Sequence, residues 1–405
     1  MTGATIDHII SVTILVAALL LAMVSFNGMF ASAIAYERNR QVARKAVDLM
    51  ETLCLSPGSP EDWGRSNATL LSFGLGDPEQ GGYTISPFST MRLRTKSGGQ
   101  DSFLVYYPKT GEYYNNFELN SGGSLLLPVG DCVNYTTVAE LLGMNRSYGF
   151  QIYIYPTLNV SIHQVPANNL VLEVEVRGPG LPLSGATVKY HLYQVVQGGG
   201  FVPSFLTYSG AVETDSVGKT VLEFPSIDDQ DDAYSIIVYA RLSGLKGVGY
   251  YSHNALGGYP EFIVPLVEDI DEGKIIIAHS WDVNNYTETP VPDVHYNATF
   301  FVQSEDLELQ PIEMTNSTGH LNYGEGKPYD LAQVPPSETG ILLIAYRWGN
   351  RIGSIMMPWG ISTLGVSAKF GGDYSGYTFV ATELRQVLID GVSYQVQLAV
   401  WSLKG

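Results

Sequence analysis

Residues 9–36 read IISVTILVAALLLAMVSFNGMFASAIAY, and this stretch determines how the rest of the chain is organised. It contains no charged residue, and Asn27 is its only strongly polar side chain. As a helix it would extend about 42 Å, at a rise of about 1.5 Å per residue. A bilayer core needs about 20 apolar residues. The segment is also too long for the apolar core of a cleavable signal peptide, and no Lys or Arg precedes it. We therefore expect an uncleaved apolar helix.

The pattern continues as a helix beyond the apolar stretch. Five charged residues follow Tyr36: Glu37, Arg38, Arg40, Arg44 and Lys45. Apolar residues then recur at spacings of three and four, at Val42, Ala46, Leu49, Met50 and Leu53. Ser56-Pro57-Gly58-Ser59-Pro60 ends the pattern. The sequence predicts one helix from about Ile9 to about Cys54, with a second half that packs on the next domain.

Small residues lie four apart in the apolar half, at Ala18 and Ala22 and at Gly28 and Ser32. This spacing lets two helices approach closely in lipid or in a dry bundle. The alternative is that Ala and Gly are simply common in membrane helices. Close packing between helices is the prediction.

Composition and charge exclude several classes of protein. The chain has 405 residues, 45% of them hydrophobic and only 15% charged, with a formal net charge of −18. This acidic balance argues against nucleic-acid binding, which needs a basic surface. Two cysteines cannot form a disulfide framework or a four-cysteine zinc site.

The location of the chain after the helix is predicted from two opposing signals. The basic residues after Tyr36 would place that part in the cytoplasm by the positive-inside rule. Asn-x-Ser/Thr sequons argue the opposite, because glycans belong on external surfaces. The sequons are at Asn67, Asn134, Asn145, Asn159, Asn285, Asn297 and Asn316. Their number outweighs the basic residues, so we expect an extracellular glycoprotein.

The remainder predicts β structure in three regions. We expect a mainly β protein with one long N-terminal α-helix, in which tandem Ig-like β-sandwich domains stand on a helical stalk. The predicted regions are 1–56 (helix), 57–165 (first β-rich head), 166–266 (Ig-like β-sandwich) and 267–405 (C-terminal β-sandwich). Alternating runs such as Leu170-Val-Leu-Glu-Val-Glu-Val support strands of period two.

The middle region resembles a known family of modules. Pro182-Leu-Ser-Gly-Ala-Thr-Val, followed by Thr214-Asp-Ser-Val-Gly-Lys-Thr-Val-Leu-Glu-Phe, is similar to the Ig-like modules of bacterial and archaeal surface proteins and macroglobulins. The resemblance implies a spacing and adhesion role rather than catalysis.

The N-terminal part resembles archaeal type IV pilin-like surface proteins. The resemblance rests on the helix, on Leu55-Ser-Pro-Gly-Ser-Pro-Glu-Asp-Trp-Gly after it, and on Leu141-Leu-Gly-Met-Asn-Arg-Ser-Tyr-Gly-Phe. It implies that the helices form a filament core and that the heads face outward. The sequence departs from the pilin pattern in two places. No Lys or Arg stands before Gly3, and Asp7 would be the fourth residue after Gly3, whereas the family usually carries Glu at the fifth position.

No catalytic motif was found. The chain lacks His-Glu-x-x-His, Gly-x-Ser-x-Gly and a phosphate-binding Gly-x-x-x-x-Gly-Lys-Ser/Thr. His163, His191 and His279 lie in predicted strands as ordinary residues. A triad of residues distant in sequence stays open, since its members need not be adjacent. The prediction is that the protein is not an enzyme.

Two acidic clusters and two cysteines complete the predicted sites. Calcium prefers six to eight oxygens, and the clusters offer Asp228, Asp229, Asp231, Asp232, Asp269 and Asp271. The alternative is two solvated acidic turns, and no other cofactor is expected. Cys54 and Cys132 predict a disulfide in an oxidising exterior, with two buried thiols as the alternative.

These predictions together indicate a structural subunit of an extracellular cell-surface filament. Its partners would be copies of itself through the N-terminal helix, the membrane before assembly, and surface glycans or neighbouring cells. The alternative is a single-pass membrane-anchored adhesin or envelope protein that does not polymerise. The environment of residues 9–35, lipid or other copies, distinguishes the two.

Overall fold

The computed structural model describes residues 2–93, 104–117, 119, 122–144, 147–167, 169–228, 230–284 and 292–403, with side chains from His8 onward except at position 323. The helices are α1 (Thr2–Leu55), α2 (Pro87–Met91), α3 (Tyr135–Leu141) and α4 (Ser280–Val283). A 3-10 turn covers Ile361–Leu364.

The strands of the N-terminal half are β1 (Gly58–Ser59), β2 (Ser72–Phe73), β3 (Leu104–Tyr107), β4 (Glu112–Asn116), β5 (Leu126–Pro128), β6 (Tyr148–Pro156), β7 (Asn159–Val165), β8 (Leu170–Arg177), β9 (Thr187–Gln197), β10 (Pro203–Glu213), β11 (Lys219–Phe224), β12 (Tyr234–Leu242) and β13 (Leu245–His253). Those of the C-terminal half are β14 (Ile263–Asp269), β15 (Lys274–His279), β16 (Asp293–Gln303), β17 (Leu309–Ile312), β18 (Thr318–Asn322), β19 (Tyr329–Gln333), β20 (Gly340–Trp348), β21 (Arg351–Trp359), β22 (Ala368–Gly371), β23 (Val380–Ile389) and β24 (Val392–Ser402). The prediction of a mainly β protein with one long N-terminal helix is confirmed.

Helix α1 is continuous over 54 residues, about 81 Å at the standard rise of about 1.5 Å per residue. It begins earlier than predicted and ends at Leu55, within one residue of the predicted end. The predicted stripe is buried and forms part of the main core: Val42, Ala46, Leu49, Met50 and Leu53. The helix ends where Pro57 and Gly58 follow, the latter at a φ of +89°, a conformation that favours glycine.

The sheet under α1 joins one strand of the predicted first head region to three strands from the C-terminal part of the chain. Its order is β22-β6-β24-β23, with every pair antiparallel. Strand β6 pairs with β24 from Tyr148 opposite Ser402 to Pro156 opposite Tyr394. The predicted division between regions 57–165 and 267–405 is therefore wrong, because the two regions share this sheet and one continuous apolar core.

The middle of the chain forms a separate β-sandwich with its own core. One sheet has the order β10-β9-β12-β13 and the other β11-β8-β7. This sandwich begins at β7 and its last strand, β13, ends at His253. The predicted limits of 166–266 miss β7, because its alternating pattern fits a strand in either region equally well.

The C-terminal half supplies two further sheets. One contains β17-β16-β20-β21, with β18 also paired to β16, and the other has the order β14-β15-β19. The sandwich is joined to the first of these through three buried hydroxyls. Ser235 Oγ lies 2.6 Å from Ser252 Oγ and 2.7 Å from Ser354 Oγ, so a polar contact fixes how the two layers meet.

His279 is a buried link between β15 and α4. Its Nδ1 accepts a hydrogen bond from the Trp281 backbone N–H at 3.1 Å, and its Nε2 lies 3.2 Å from the Pro292 carbonyl oxygen. This pair of contacts suits the neutral ring with its proton on Nε2. Burial lowers the pKa of His279 despite the neighbouring Asp282 carboxylate, which raises it.

We expect the free energy of unfolding to decrease as the pH is lowered below about 6.5, the ordinary pKa of histidine. A lowered pKa in the folded state means that the unfolded chain binds more protons in that window, so the free energy of unfolding falls as pH falls. Burial also lowers the pKa of His191. The test is therefore the difference between the parent and His279→Asn, which keeps a capping side chain. Melting temperatures measured from pH 8 to 5 should diverge between the two chains, and parallel curves would show that His279 is not a source of the dependence.

Candidate functional site

The first half of α1 is an apolar surface that the rest of the described chain does not cover. Sixteen large apolar side chains between Ile9 and Tyr36 are 49–70% exposed. The described helix from His8 is long and apolar enough to cross a membrane by length and composition, and none of its most apolar window is buried. This surface is the candidate functional site.

The predicted packing positions lie exposed on this surface. Ala18, Ala22, Gly28 and Ser32 are all exposed. A Cβ placed on Gly28 would meet nothing within 4 Å, and Ser32 Oγ donates a hydrogen bond to the Gly28 carbonyl at 2.9 Å. The chain itself therefore leaves room for larger side chains at Gly28. Contact between copies at these positions stays a prediction.

Polar contacts hold the second half of α1 to the head. Arg385 on β23 lies 3.5 Å from Glu51, and Tyr83 Oη donates a hydrogen bond to the same carboxylate at 3.3 Å. Lys45 Nζ donates to the Leu142 carbonyl at 3.4 Å. These contacts surround the buried stripe, so the direction of the apolar segment is fixed relative to the head.

Trp63 stabilises the segment that follows α1. Its side chain is buried, and its Nε1 donates to the carbonyls of Pro57 at 2.8 Å and Gly74 at 3.1 Å. Its ring lies 5.8 Å from the ring of Phe73. One indole thus ties the segment after the helix to β2 and the loop that follows it.

Arg92 supports Trp63 from within the head. Its guanidinium donates to the carbonyls of Trp63, Ser66 and Asp131, and it lies 5.7 Å from the Trp63 ring centroid. Burial lowers the pKa of Arg92, and the Asp131 carboxylate opposes that effect. Sequence reasoning missed both residues. The available signal was that Trp63 lies in the pilin-like phrase after the helix.

The predicted disulfide is not formed. Cys54 lies on the buried face of α1, where its Sγ is 3.6 Å from Met50 Sδ. Cys132 lies half-buried between β5 and α3, and the two residues are not bonded to each other. The prediction rested on an oxidising exterior, which does not determine where two cysteines lie in the fold. Cys54 belongs to α1, and Cys132 belongs to the segment between β5 and α3.

The two thiols should differ sharply in reactivity. Burial raises the pKa of Cys54 to about 12, so almost no thiolate exists at neutral pH. We expect a thiol-alkylating reagent to modify Cys132 while Cys54 reacts only after unfolding. Peptide mass spectrometry after timed alkylation at pH 7.5 measures this. Equal labelling of both cysteines in the folded chain would contradict the buried placement of Cys54.

Five of the seven predicted glycosylation sites are described. Asn145 and Asn285 lie outside the described residues. The side-chain nitrogen Nδ2, to which a glycan would be attached, is a hydrogen-bond donor in three of them. Asn67 donates to Asp269, Asn297 donates to the Pro203 carbonyl, and Asn316 donates to the Leu331 carbonyl. Asn134 caps α3 through Oδ1 instead, and Asn159 is exposed at the start of β7. Glycosylation at any of them stays a prediction.

The acidic clusters form turns closed by their own carboxylates. Asp228 Oδ1 accepts from the backbone of Gln230 and Asp231, and the Asp228 N–H donates to Asp232. Asp269 Oδ1 accepts from the backbone of Asp271 and Glu272 in the same way. Asp229 lies outside the described residues. Within the described part of the chain, no three His, Cys, Asp or Glu side chains could hold a metal ion. Calcium binding stays a prediction.

Two of the histidines noted in the sequence have structural contacts. His191 on β9 is buried with its Nε2 2.9 Å from the Leu307 carbonyl oxygen, and His279 caps α4. These contacts describe packing. The prediction that the chain is not an enzyme stays a prediction.

Comparison with known proteins gives no family. No protein-family model matches the sequence, and no curated protein matches it either. Among solved structures, the chain is similar to red sea bream transglutaminase, with 12% identity over 55% of this chain and 33% of that one, at a TM-score of 0.18. The D0-D1 domain of intimin gives 12% identity over 54% of this chain and 98% of that chain, at a TM-score of 0.19. Escherichia coli alpha-2-macroglobulin activated by porcine elastase gives 12% identity over 60% of this chain and 26% of that chain, at a TM-score of 0.22.

The chain thus spans about a third or less of the transglutaminase and of the macroglobulin. At these TM-scores the similarities support no argument about function. The chain therefore combines an exposed helix that is long and apolar enough to cross a membrane with a β-sandwich of two antiparallel sheets.

Proposed function

We propose that this protein is a structural subunit of an extracellular cell-surface filament. Residues 9–36 form the filament core, and the β-rich head faces outward for adhesion to surface glycans or neighbouring cells. The observation that supports this most is the rigid connection between an uncovered apolar helix and a folded head. A flexible anchor would need neither the buried stripe of α1 nor the contacts at Trp63.

The energetic argument concerns the exposed apolar side chains. Burying one Leu, Ile, Val or Met side chain contributes roughly 1.5–3 kcal/mol, so this surface must lie in lipid or against other copies. It lies in the membrane before assembly and against copies afterwards. Because every copy presents the same helix in the same direction, a contact between copies that does not close generates a helical fibre.

The charge distribution suits this arrangement. Residues 101–405 hold the whole imbalance of the chain, whose formal net charge is −18. Acidic heads repel one another and discourage fibres from bundling until salt screens them. The same charge disfavours nucleic acid as a partner.

The second candidate is a single-pass membrane-anchored adhesin that does not polymerise. It is favoured by the length and apolar composition of the described helix from His8, which suffice to cross a membrane. It is also favoured by the departure from the pilin pattern at Asp7. In this case the surface of residues 9–36 touches lipid permanently.

Electron microscopy of material sheared from cells that make the full chain tests the proposal. We expect fibres that contain this protein, with the helices in the core. Gly28→Leu should reduce the fibre yield at least tenfold while the heads stay folded, since the added side chain meets open space within the chain. Val24→Leu, which changes an already large exposed residue, is the matched control and should assemble. Protein found only in detergent extracts, as a monomer, would support the anchored adhesin instead.

A further inference from the structure

A cleft of about 400 Å³ lies where the head meets the sandwich. Its lining includes Tyr153 and Tyr155 of β6, Asn159 and Val160 of β7, and Tyr250 of β13. This volume falls within the range of about 300–1,000 Å³ for clefts that hold small molecules. The cleft therefore has room for one or two sugar rings.

A glycosylation sequon opens directly into this cleft. Asn159 begins β7 with its side chain exposed, and Ser161 completes the motif two residues later. Among the described residues, no hydrogen bond engages the Asn159 side chain, whereas Nδ2 is a donor in Asn67, Asn297 and Asn316. Asn159 is thus the acceptor whose amide nitrogen is available and which also lines a cleft.

The two tyrosines of β6 form an aromatic wall beside Asn159. Their ring centroids are 4.8 Å apart with an interplanar angle of 27°, and Tyr153 is 37% exposed. Tyr155 Oη donates to Gln395 Oε1 at 2.8 Å, which fixes its ring. A pyranose ring presents C–H groups on one face, and such a face packs well against an aromatic ring that has a polar tip.

A second cleft also has Tyr153 in its lining. Its volume is about 420 Å³, and it is lined by Gln151, Tyr153, Lys369, Tyr374, Gln397 and Ala399. Amide and ammonium groups are suitable hydrogen-bond partners for sugar hydroxyls. The two clefts share Tyr153 in their linings, so a glycan longer than two sugars would meet the second cleft next.

We propose that the N-linked glycan of Asn159 occupies this cleft, with its first sugars against Tyr155 and Tyr153, and that it thereby joins the head to the sandwich. The inference rests on the external location of the head in the proposed function. In the attachment step, Nδ2 forms a bond to the anomeric carbon of a lipid-phosphate-linked oligosaccharide. The bond from that carbon to the phosphate oxygen breaks, the lipid phosphate leaves with the electron pair, and the amide loses one proton.

The experiment uses the full chain in mild detergent, made in a host that attaches N-linked glycans and in one that does not. Ser161→Ala removes the sequon while keeping Asn159, and Ser161→Thr is the matched control that preserves it. Glycopeptide mass spectrometry should find Asn159 modified in the parent and in Ser161→Thr only. From the first host, Ser161→Ala should lower the melting temperature by about 2–4 °C. From the second host, the three chains should melt together.

Tyr153→Ala tests the cleft itself. In the glycosylated chain, the loss caused by Ser161→Ala should disappear once Tyr153 is already replaced, because residues in contact give non-additive effects. Asn67→Gln removes a sequon far from the cleft and should leave the effect of Ser161→Ala unchanged. An unmodified Asn159, or additive effects of Ser161→Ala and Tyr153→Ala, would overturn the proposal.

One further outcome would overturn the choice of occupant. If the chain from the non-glycosylating host binds free oligosaccharides on a glycan array, and Tyr153→Ala abolishes that binding, the cleft recognises foreign sugars. Fibre assembly is scored separately. Fibres without a glycan effect would refute only this inference, and a glycan effect without fibres would refute only the filament role.

Discussion

Removal of residues 1–36 should convert the protein into a soluble monomer that forms no fibres and needs no detergent. The truncated chain keeps the buried stripe of α1 and its contacts with Arg385, Tyr83 and Leu142, so the head should stay folded. It loses the sixteen exposed apolar side chains, which the described residues leave uncovered. Sedimentation velocity and circular dichroism measure the two parts of this expectation.

A second truncation provides the control. Removal of residues 1–8 leaves the apolar segment intact and should preserve both assembly and the need for detergent. If the chain lacking residues 1–36 aggregated or unfolded, the head would depend on the apolar segment, and the separation of roles described above would be wrong.

Trp63→Ala should be the most destabilising single substitution outside the apolar segment. The indole is buried, and its loss leaves a cavity beside Phe73 and two carbonyls, of Pro57 and Gly74, without their donor. Large aromatic-to-alanine substitutions cost about 3–5 kcal/mol in the free energy of unfolding. Chemical denaturation of the chain that lacks residues 1–36 measures the effect.

Trp63→Phe separates packing from hydrogen bonding. It keeps an aromatic ring but removes the Nε1 donor, so a loss of about 1–3 kcal/mol is expected from the unsatisfied carbonyls. A loss below about 1 kcal/mol in Trp63→Ala would mean that the segment after the helix is held by other contacts.

The sequence predicted the features that depend on local periodicity. The apolar stretch and the stripe from Val42 to Leu53 follow from helical spacing, and both lie as expected. The strand over Leu170–Arg177 follows from alternation in the same way. In each case the element is determined by residues that lie only a few positions apart in the sequence, so a local pattern is enough to predict it.

The features that the sequence did not predict depend on partners distant in the chain. Strand β6 pairs with β24, which is more than two hundred residues away, and alternation does not identify a partner. The disulfide prediction was wrong for the same reason, since nothing local places Cys54 relative to Cys132. The contacts of Arg92 with three carbonyls also arise only from folding.

Cysteine cross-linking on intact cells tests the central claim that residues 9–36 contact other copies. Ala22→Cys places a thiol in the middle of the exposed apolar surface, and Ser216→Cys places one on an exposed loop of the sandwich. After brief oxidation, non-reducing electrophoresis should show dimers that only Ala22→Cys forms, and a short bifunctional thiol reagent should give the same dimer band, because one introduced thiol per chain makes one cross-link. The parent chain and Ser216→Cys should stay monomeric. A monomeric Ala22→Cys chain, labelled instead by a lipid-soluble thiol reagent, would contradict the claim and show that the helix faces lipid.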